Sequence, residues 1–250
     1  MHYDNHSHII LSPIESMVEA ANKTQVSRLS TTEHISQFTF ARESVKFVSV
    51  HDSGRMFSSF DEYLSEFEKV KDADGVVVRK GLEVDYIDKY RSEIGRLVST
   101  KKWDVLLCSV HELPGGIDLD DKKLPQDYKS AAERWRLYIE TQKDAIKSNF
   151  IPFDILTHPE RLALGTPTVP EDLDDLMIEL AKLAKEYGKA LELNGSDLSN
   201  SPHLVQKVAS ACRMAGCKVS YGSDAHYPGQ VSRNFDLAKG LIEKYGLEVI

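Results

Sequence analysis

Histidines recur beside carboxylates along this chain at spacings suited to metal ligation. His6-Ser7-His8 comes first, then Thr32-Glu33-His34, then Glu83 within Gly81-Leu82-Glu83-Val84-Asp85. His111 follows Ser109-Val110, His158 follows Thr157, and Gly222-Ser223-Asp224-Ala225-His226 closes the series. Neutral imidazole nitrogen and carboxylate oxygen are ligands for Zn, Mn or Fe. Side chains two apart on a strand face the same side, so His6 and His8 can offer both rings to one ion, and Asp224 and His226 repeat that spacing. Glu83 carries two oxygens and can bridge two ions. A single H-x-H is more often a surface or core pair than a ligand pair. Only the recurrence of such residues after nearly every apolar run points to a metal.

These residues must be positioned by something, and the chain supplies short apolar runs ending at nearly every one of them. Residues 3–10, 28–32, 76–84, 105–110, 153–157, 190–193 and 218–221 read as strands: short, apolar or β-branched, and bounded by polar or turn residues. Helical patterns alternate with them. Residues 14–23 place Ile14, Met17, Val18 and Ala21 on one face, and residues 60–70 do the same with Phe60, Tyr63, Leu64 and Phe67. Residues 173–187 place Leu176, Leu180, Leu183, Ala184 and Tyr187 on one face, behind a helix start at Thr168-Val169-Pro170-Glu171. Residues 204–214 and 235–245 end near Gly216 and Gly246, as helix stops do.

Strand followed by helix, seven times, reads as parallel βα units. The expected fold is α/β, a distorted (β/α)7 TIM-like barrel in one domain over residues 1–250, with an open doubly wound sheet as the alternative. In a parallel barrel all strand C-termini open on one face, so the polar strand ends converge there. Residues 35–59 and 112–128 do not fit the simple repeat, and loops of that length commonly carry function. His51 lies in the first of them and is expected to be a solvated loop residue. His2 and His203 fall outside the pattern.

The 250 residues carry a formal charge of −8, which argues against a broad basic surface for extended nucleic acid. A phosphorylated substrate is compatible with that charge, because bound cations reverse the local field. Cys108, Cys212 and Cys217 form no C-x-x-C pair, which fits a reducing cytoplasm, and Cys108 reads as core. No signal peptide and no membrane-spanning run is present, and nothing in the sequence sets an oligomeric state.

The ordered series H-x-H, T-E-H, G-L-E-V-D, S-V-H, D-I-L-T-H and G-S-D-A-H, from His6 to His226, resembles the PHP superfamily of polymerase and histidinol-phosphatase phosphoesterases. The length and the S-V-H and G-S-D-A-H-x-P segments are most similar to the stand-alone histidinol-phosphate phosphatases. The resemblance implies two or three divalent ions. His6, His8, Glu83 and Asp224 would hold the first, Glu83, His111 and His158 the second, and His34 and His226 the third. At the position where the family supplies a further His or Asp to the third ion stands Ile14, with Glu15 beside it as the possible substitute. The implied activity is hydrolysis of a small phosphate monoester, histidinol phosphate first, by metal-activated water, with Glu83, Asp224 and His226 as the catalytic residues. Arg161, Arg233 and Arg42 are the candidates for the phosphate, since a guanidinium fork matches two phosphate oxygens. The segment Ile35-Ser36-Gln37-Phe38 departs from the proline-containing stretch of histidinol phosphatases, which bears on the substrate and not on the chemistry. The rival readings are a nucleotide or oligonucleotide-end phosphoesterase, a non-catalytic metal-binding barrel, and an amidohydrolase; the last commonly bridges its ions with a lysine where this chain has Glu83.

Overall fold

The protein is seen as a computed structural model that describes residues 2–50, 54–119 and 129–250; His51 lies outside the described residues. In chain order the elements run β1 (Tyr3–Ser7), α1 (Ile14–Lys23), β2 (Arg28–His34), α2 (Thr39–Ser44), α3 (Phe60–Glu66), β3 (Val77–Asp85), α4 (Arg91–Val98) and β4 (Val105–Ser109). A two-stranded ribbon of β5 (Glu112–Leu113) and β6 (Ile117–Asp118) follows. Then come α5 (Ala131–Lys147), β7 (Ile155–Leu156), α6 (Leu173–Glu186), β8 (Ala190–Asn194), α7 (Gly195–Asn200), α8 (Pro202–Ala215), β9 (Val219–Gly222) and α9 (Phe235–Tyr245).

Seven strands pair in parallel in the order β1-β2-β3-β4-β7-β8-β9. The sheet also closes on itself. Ser7 forms a parallel bridge with Ala225. The amide of His8 donates to the Ala225 carbonyl at 2.8 Å, and that of Asp224 to the His6 carbonyl at 2.9 Å. The architecture is therefore a distorted seven-stranded barrel, and the open-sheet alternative is set aside. Because the seam joins the end of β1 to the segment after β9, the first and last motifs of the chain become neighbours.

Helix α1 buries Ile14, Met17, Val18 and Ala21, the face its spacing predicts. The expected helix over residues 60–70 is α3 followed by a 3-10 turn at Phe67–Val70. In α6 the buried stripe is Leu173, Met177, Leu180, Ala181 and Ala184, so the expected face is rotated; Leu176 and Leu183 are partly buried and Tyr187 is exposed. Gly216 and Gly246 both cap their helices at positive φ, +67° and +59°, where a side chain would be strained. Ser130 and Glu133 form a reciprocal capping box that starts α5, worth about 1 kcal/mol. The long segment after β2 folds into a 3-10 turn at Ile35–Gln37 and α2, and the one after β4 opens with the β5–β6 ribbon. Cys108 is fully buried in β4, where burial pushes its thiol well above the ordinary range, so it is core as expected.

Candidate metal centre

Each barrel strand delivers its polar end to one mouth. His6 lies on β1 with His8 just beyond it, His34 ends β2, and Glu83 lies near the end of β3. His111, His158, Asp224 and His226 sit in the segments that leave β4, β7 and β9. The side chains converge on Glu83, which is 1% exposed. Its Oε2 lies 2.9 Å from His34 Nδ1 and 3.1 Å from His6 Nε2. Its Oε1 lies 3.0 Å from His158 Nε2 and 3.4 Å from His111 Nε2. Asp224 Oδ1 stands 3.8 Å from His6 Nε2 and 3.5 Å from His8 Nε2. Three groups have ligand atoms close enough together to share an ion: His6, His8 and Asp224; His34, Glu83 and His111; and His8, His34 and His226.

The imidazoles are held from behind. His6 Nδ1 meets Glu192 at 2.8 Å, His8 Nδ1 meets Glu33 at 3.2 Å, and His111 Nδ1 meets Asp85 at 2.6 Å. A carboxylate at Nδ1 keeps the proton on that nitrogen and turns the Nε2 lone pair inward. The Nε2 atoms of His6 and His8 then lie 3.1 Å apart with carboxylate oxygens around them. Electron-rich atoms packed this closely away from water need cations among them, either protons or metal ions. The donor set therefore fits divalent ions.

Without metal, protons take the cationic role. Burial opposes a charged His8, but hydrogen bonds to Asp224 and Glu33 outweigh it and push its pKa up to about 9. Burial likewise opposes ionisation of Glu83, yet the charges of His34 and His6 and hydrogen bonds from His158 and His34 hold its carboxyl well below the usual range. Asp224 is depressed too, by Arg161 and His6 against the cost of burial.

Two of these residues adopt backbone conformations that side chains seldom take. His158 has φ +30° and Asp224 φ +55°, a local strain on the order of 1–3 kcal/mol each, of a kind concentrated at functional sites. Gly222, two residues before Asp224, sits against the cluster so tightly that a Cβ would lie 2.2 Å from Glu192 Oε1 and 2.3 Å from the His6 Cβ. The glycine of the G-S-D-A-H motif is thus fixed by the space that His6 and its supporting Glu192 occupy.

A family model described as the PHP domain matches residues 2–196. The chain belongs to the PHP domain family. It is 26% identical over 249 residues to a probable phosphatase of Shewanella sp. strain MR-4, covering 96% of this chain and 82% of that protein. It is 24% identical over 242 residues to a histidinol-phosphatase of Lactococcus lactis, covering 91% and 88%. A crystal structure of a Lactococcus lactis histidinol phosphate phosphatase with zinc, L-histidinol and phosphate superposes with a TM-score of 0.81 at 20% identity, covering 100% of this chain and 95% of that one. That likeness establishes a shared fold.

The mouth of this PHP domain is a cavity of about 270 Å3 whose wall includes His34, Glu83, His111, His158, Asp224 and His226. Arg161 and Arg233 also line it. Arg161 donates from Nη2 to Asp224 at 2.7 Å and from Nε to Asp197 at 3.1 Å. Arg233 uses Nη2 on the carbonyls of Ser223 and Asp224, at 3.1 and 3.0 Å. Two of the candidate residues lie apart from this cluster. Arg42 is not on the cavity wall: it folds back onto its own loop, bonding the Ser36 carbonyl and the Gln37 side chain. Glu15 is exposed in the first turn of α1 and belongs to none of the three ligand groups, because the helix turns it towards solvent, where its charge suits the helix N-terminus. Outside the cluster, His2 stacks on Phe235 and bonds Ser232, and His203 is exposed on α8.

The supporting carboxylates Glu33 and Asp85 stood in the motifs T-E-H and G-L-E-V-D, and Glu192 stood in the strand read over residues 190–193, but none of the three carried an assigned role. The signal that could have found Glu33 and Asp85 is position: each lies on a strand one or two residues from a proposed ligand, His34 and Glu83.

Proposed function

We propose that this chain is a metal-dependent phosphoesterase acting on a small phosphate monoester, with histidinol phosphate as the first candidate. The observation that carries the reading is Glu83, whose two oxygens face separate imidazole pairs, His6 with His34 and His158 with His111. In this reading Glu83 would be a ligand common to two ions, one held with His6, His8 and Asp224 and the other with His111 and His158. His34 and His226, with His8, form the third set.

Bound ions would make hydroxide available near neutral pH and neutralise the phosphate oxygens. The chain's own residues do the rest. Glu192, Glu33 and Asp85 hold three imidazoles in the ligating tautomer. Arg161, already beside Asp224, is placed to bind and orient the phosphate, and Arg233 is the second candidate. Glu83, Asp224 and His226 are the catalytic set in this reading. The ester's alcohol would lie towards Leu11, Ser49, Tyr227 and Gln230, which complete the cavity wall.

We further propose that residues 1–250 act as one barrel domain working in the cytoplasm. Cys108, Cys212 and Cys217 are all free and buried, which suits a reducing compartment. Among the described residues no helix is long and apolar enough to cross a membrane.

Phosphate release from histidinol phosphate, AMP and a short oligonucleotide, each with Zn, Mn or Fe supplied, tests the reading. Histidinol phosphate should give the highest kcat/KM, and Arg161→Ala should lower it about tenfold or more at saturating metal, as expected when one partner of a buried charged contact is removed. Hydrolysis of none of the three by the metal-loaded parent would contradict the proposal. An unchanged Arg161→Ala variant would move the phosphate site elsewhere.

A further inference from the structure

We infer that Asp4, buried beneath the cluster, is a positioning residue that fixes Asp224 for metal ligation. The inference rests on the ligation proposed above. Asp4 lies on β1 two residues before His6 and is completely buried. Its Oδ1 accepts a 2.8 Å hydrogen bond from the Ser223 amide and a longer one, 3.5 Å, from the His6 amide. Its Oδ2 accepts from the Ser232 amide at 3.1 Å. Ser223 immediately precedes Asp224, and Ser232 immediately precedes Arg233. Arg233 then reaches back to the carbonyls of Ser223 and Asp224. The Ser223–Asp224 pair is thus gripped on its amide side by Asp4 and on its carbonyl side by Arg233, with Asp4 also holding the segment from which Arg233 extends.

The grip has a purpose that sequence position hides. Asp224 at φ +55° and Ser232 at φ +65° both occupy left-handed backbone, which relaxes unless neighbouring groups oppose it. Relaxation at Asp224 would swing its carboxylate away from His6 and His8. A carboxylate is the side chain that suits the position, because both of its oxygens accept. An asparagine there would offer one acceptor and place an NH2 against a backbone N–H, two donors face to face.

The test uses the full chain and Asp4→Asn, with Mn2+ alone as the probe, in a chelator-competition titration well below the melting temperature. Loss of an outer partner of a metal ligand weakens binding about 10- to 100-fold, and that is the expected loss in Asp4→Asn while its circular dichroism matches the parent. A purely structural role would lower Tm but leave the Mn2+ affinity of the folded protein unchanged, and that result would overturn the inference alone. A parent that binds no Mn2+ would overturn the ligation reading and the inference with it. If Asp4→Asn does not fold, hydrogen exchange on the parent decides. The Ser223 and Ser232 amides should exchange as slowly as those of β9, and exchange of either at the rate of an open loop would overturn the clamp.

Discussion

Glu83→Gln is expected to bind less metal and to lose at least about a hundredfold in kcat while remaining folded, since outer partners alone are worth 10- to 100-fold and Glu83 is proposed as a direct, shared ligand. The substitution keeps the shape of the side chain and removes its charge. Glutamine presents one oxygen where Glu83 presents two, so one imidazole pair, His6 with His34 or His158 with His111, would face an NH2 group. The NH2 cannot ligate an ion, and the lost negative charge no longer offsets the cations gathered there. The barrel should survive, because the closing bonds between the β1 and β9 segments are made by backbone groups of His6, His8, Asp224 and Ala225. Metal analysis, circular dichroism and turnover on one sample of the variant check the three parts together. A variant that keeps both its metal and full activity would remove Glu83 from the centre of the account.

Metal affinity is expected to rise steeply with pH, by about tenfold per pH unit for each proton displaced, between pH 6 and 8. The sign follows from the imidazoles. His8, raised to about 9, and His6, raised well above its ordinary value, are protonated near neutral pH when no metal is bound. For His6, burial works against the charged form, and the charges of Glu192, Glu83 and Asp224 overcome it. Protonated His8 stabilises the metal-free fold fully below 6.5, its ordinary value, and that contribution fades as pH rises through 9. A metal ion must displace these protons, so its binding strengthens over the same interval. Glu83 and Asp224 are depressed and already ionised throughout that window, and they add no opposing dependence. Chelator competition with Mn2+ at pH 6, 7 and 8 measures the slope. A flat profile would mean that His6 and His8 do not ligate.

The strand-end motifs were legible in the sequence because a β-strand's two-residue repeat and the common polarity of parallel strands leave little freedom in where they point. H-x-H at the end of β1 and D-A-H after β9 had to face the same mouth once the sheet closed. Helices α1 and α9 were legible at the same bounds for a similar reason, a clean apolar stripe or a terminal glycine. Helix α5 was not recognised, although Ser130 and Glu133 mark its start. Its inner face buries Thr141, Gln142 and Lys143 beside Trp135, Tyr138 and Ile139, which blurs the apolar period. The strand over residues 153–157 shrinks to β7, Ile155–Leu156, because Asp154 turns its side chain to the Leu106 amide and Thr157 bonds the Cys108 carbonyl. Asp4 gave little local signal, since the two shorter of its three backbone contacts come from residues 219 and 228 positions away. Arg42 shows the opposite case: it follows a strand end in sequence, but local hydrogen bonds to residues 36 and 37 hold it to its own loop.

The central claim is that Glu83 is shared between two metal ions at the barrel mouth. Anomalous diffraction from crystals of the Mn2+-loaded protein tests it most directly. The account predicts at least two strong peaks about 3.5–4 Å apart, the spacing of two-metal sites, with the Glu83 carboxylate between them, His6, His8 and Asp224 around one and His111 and His158 around the other. Peaks that leave Glu83 without a metal, or no bound metal at that mouth, would contradict it.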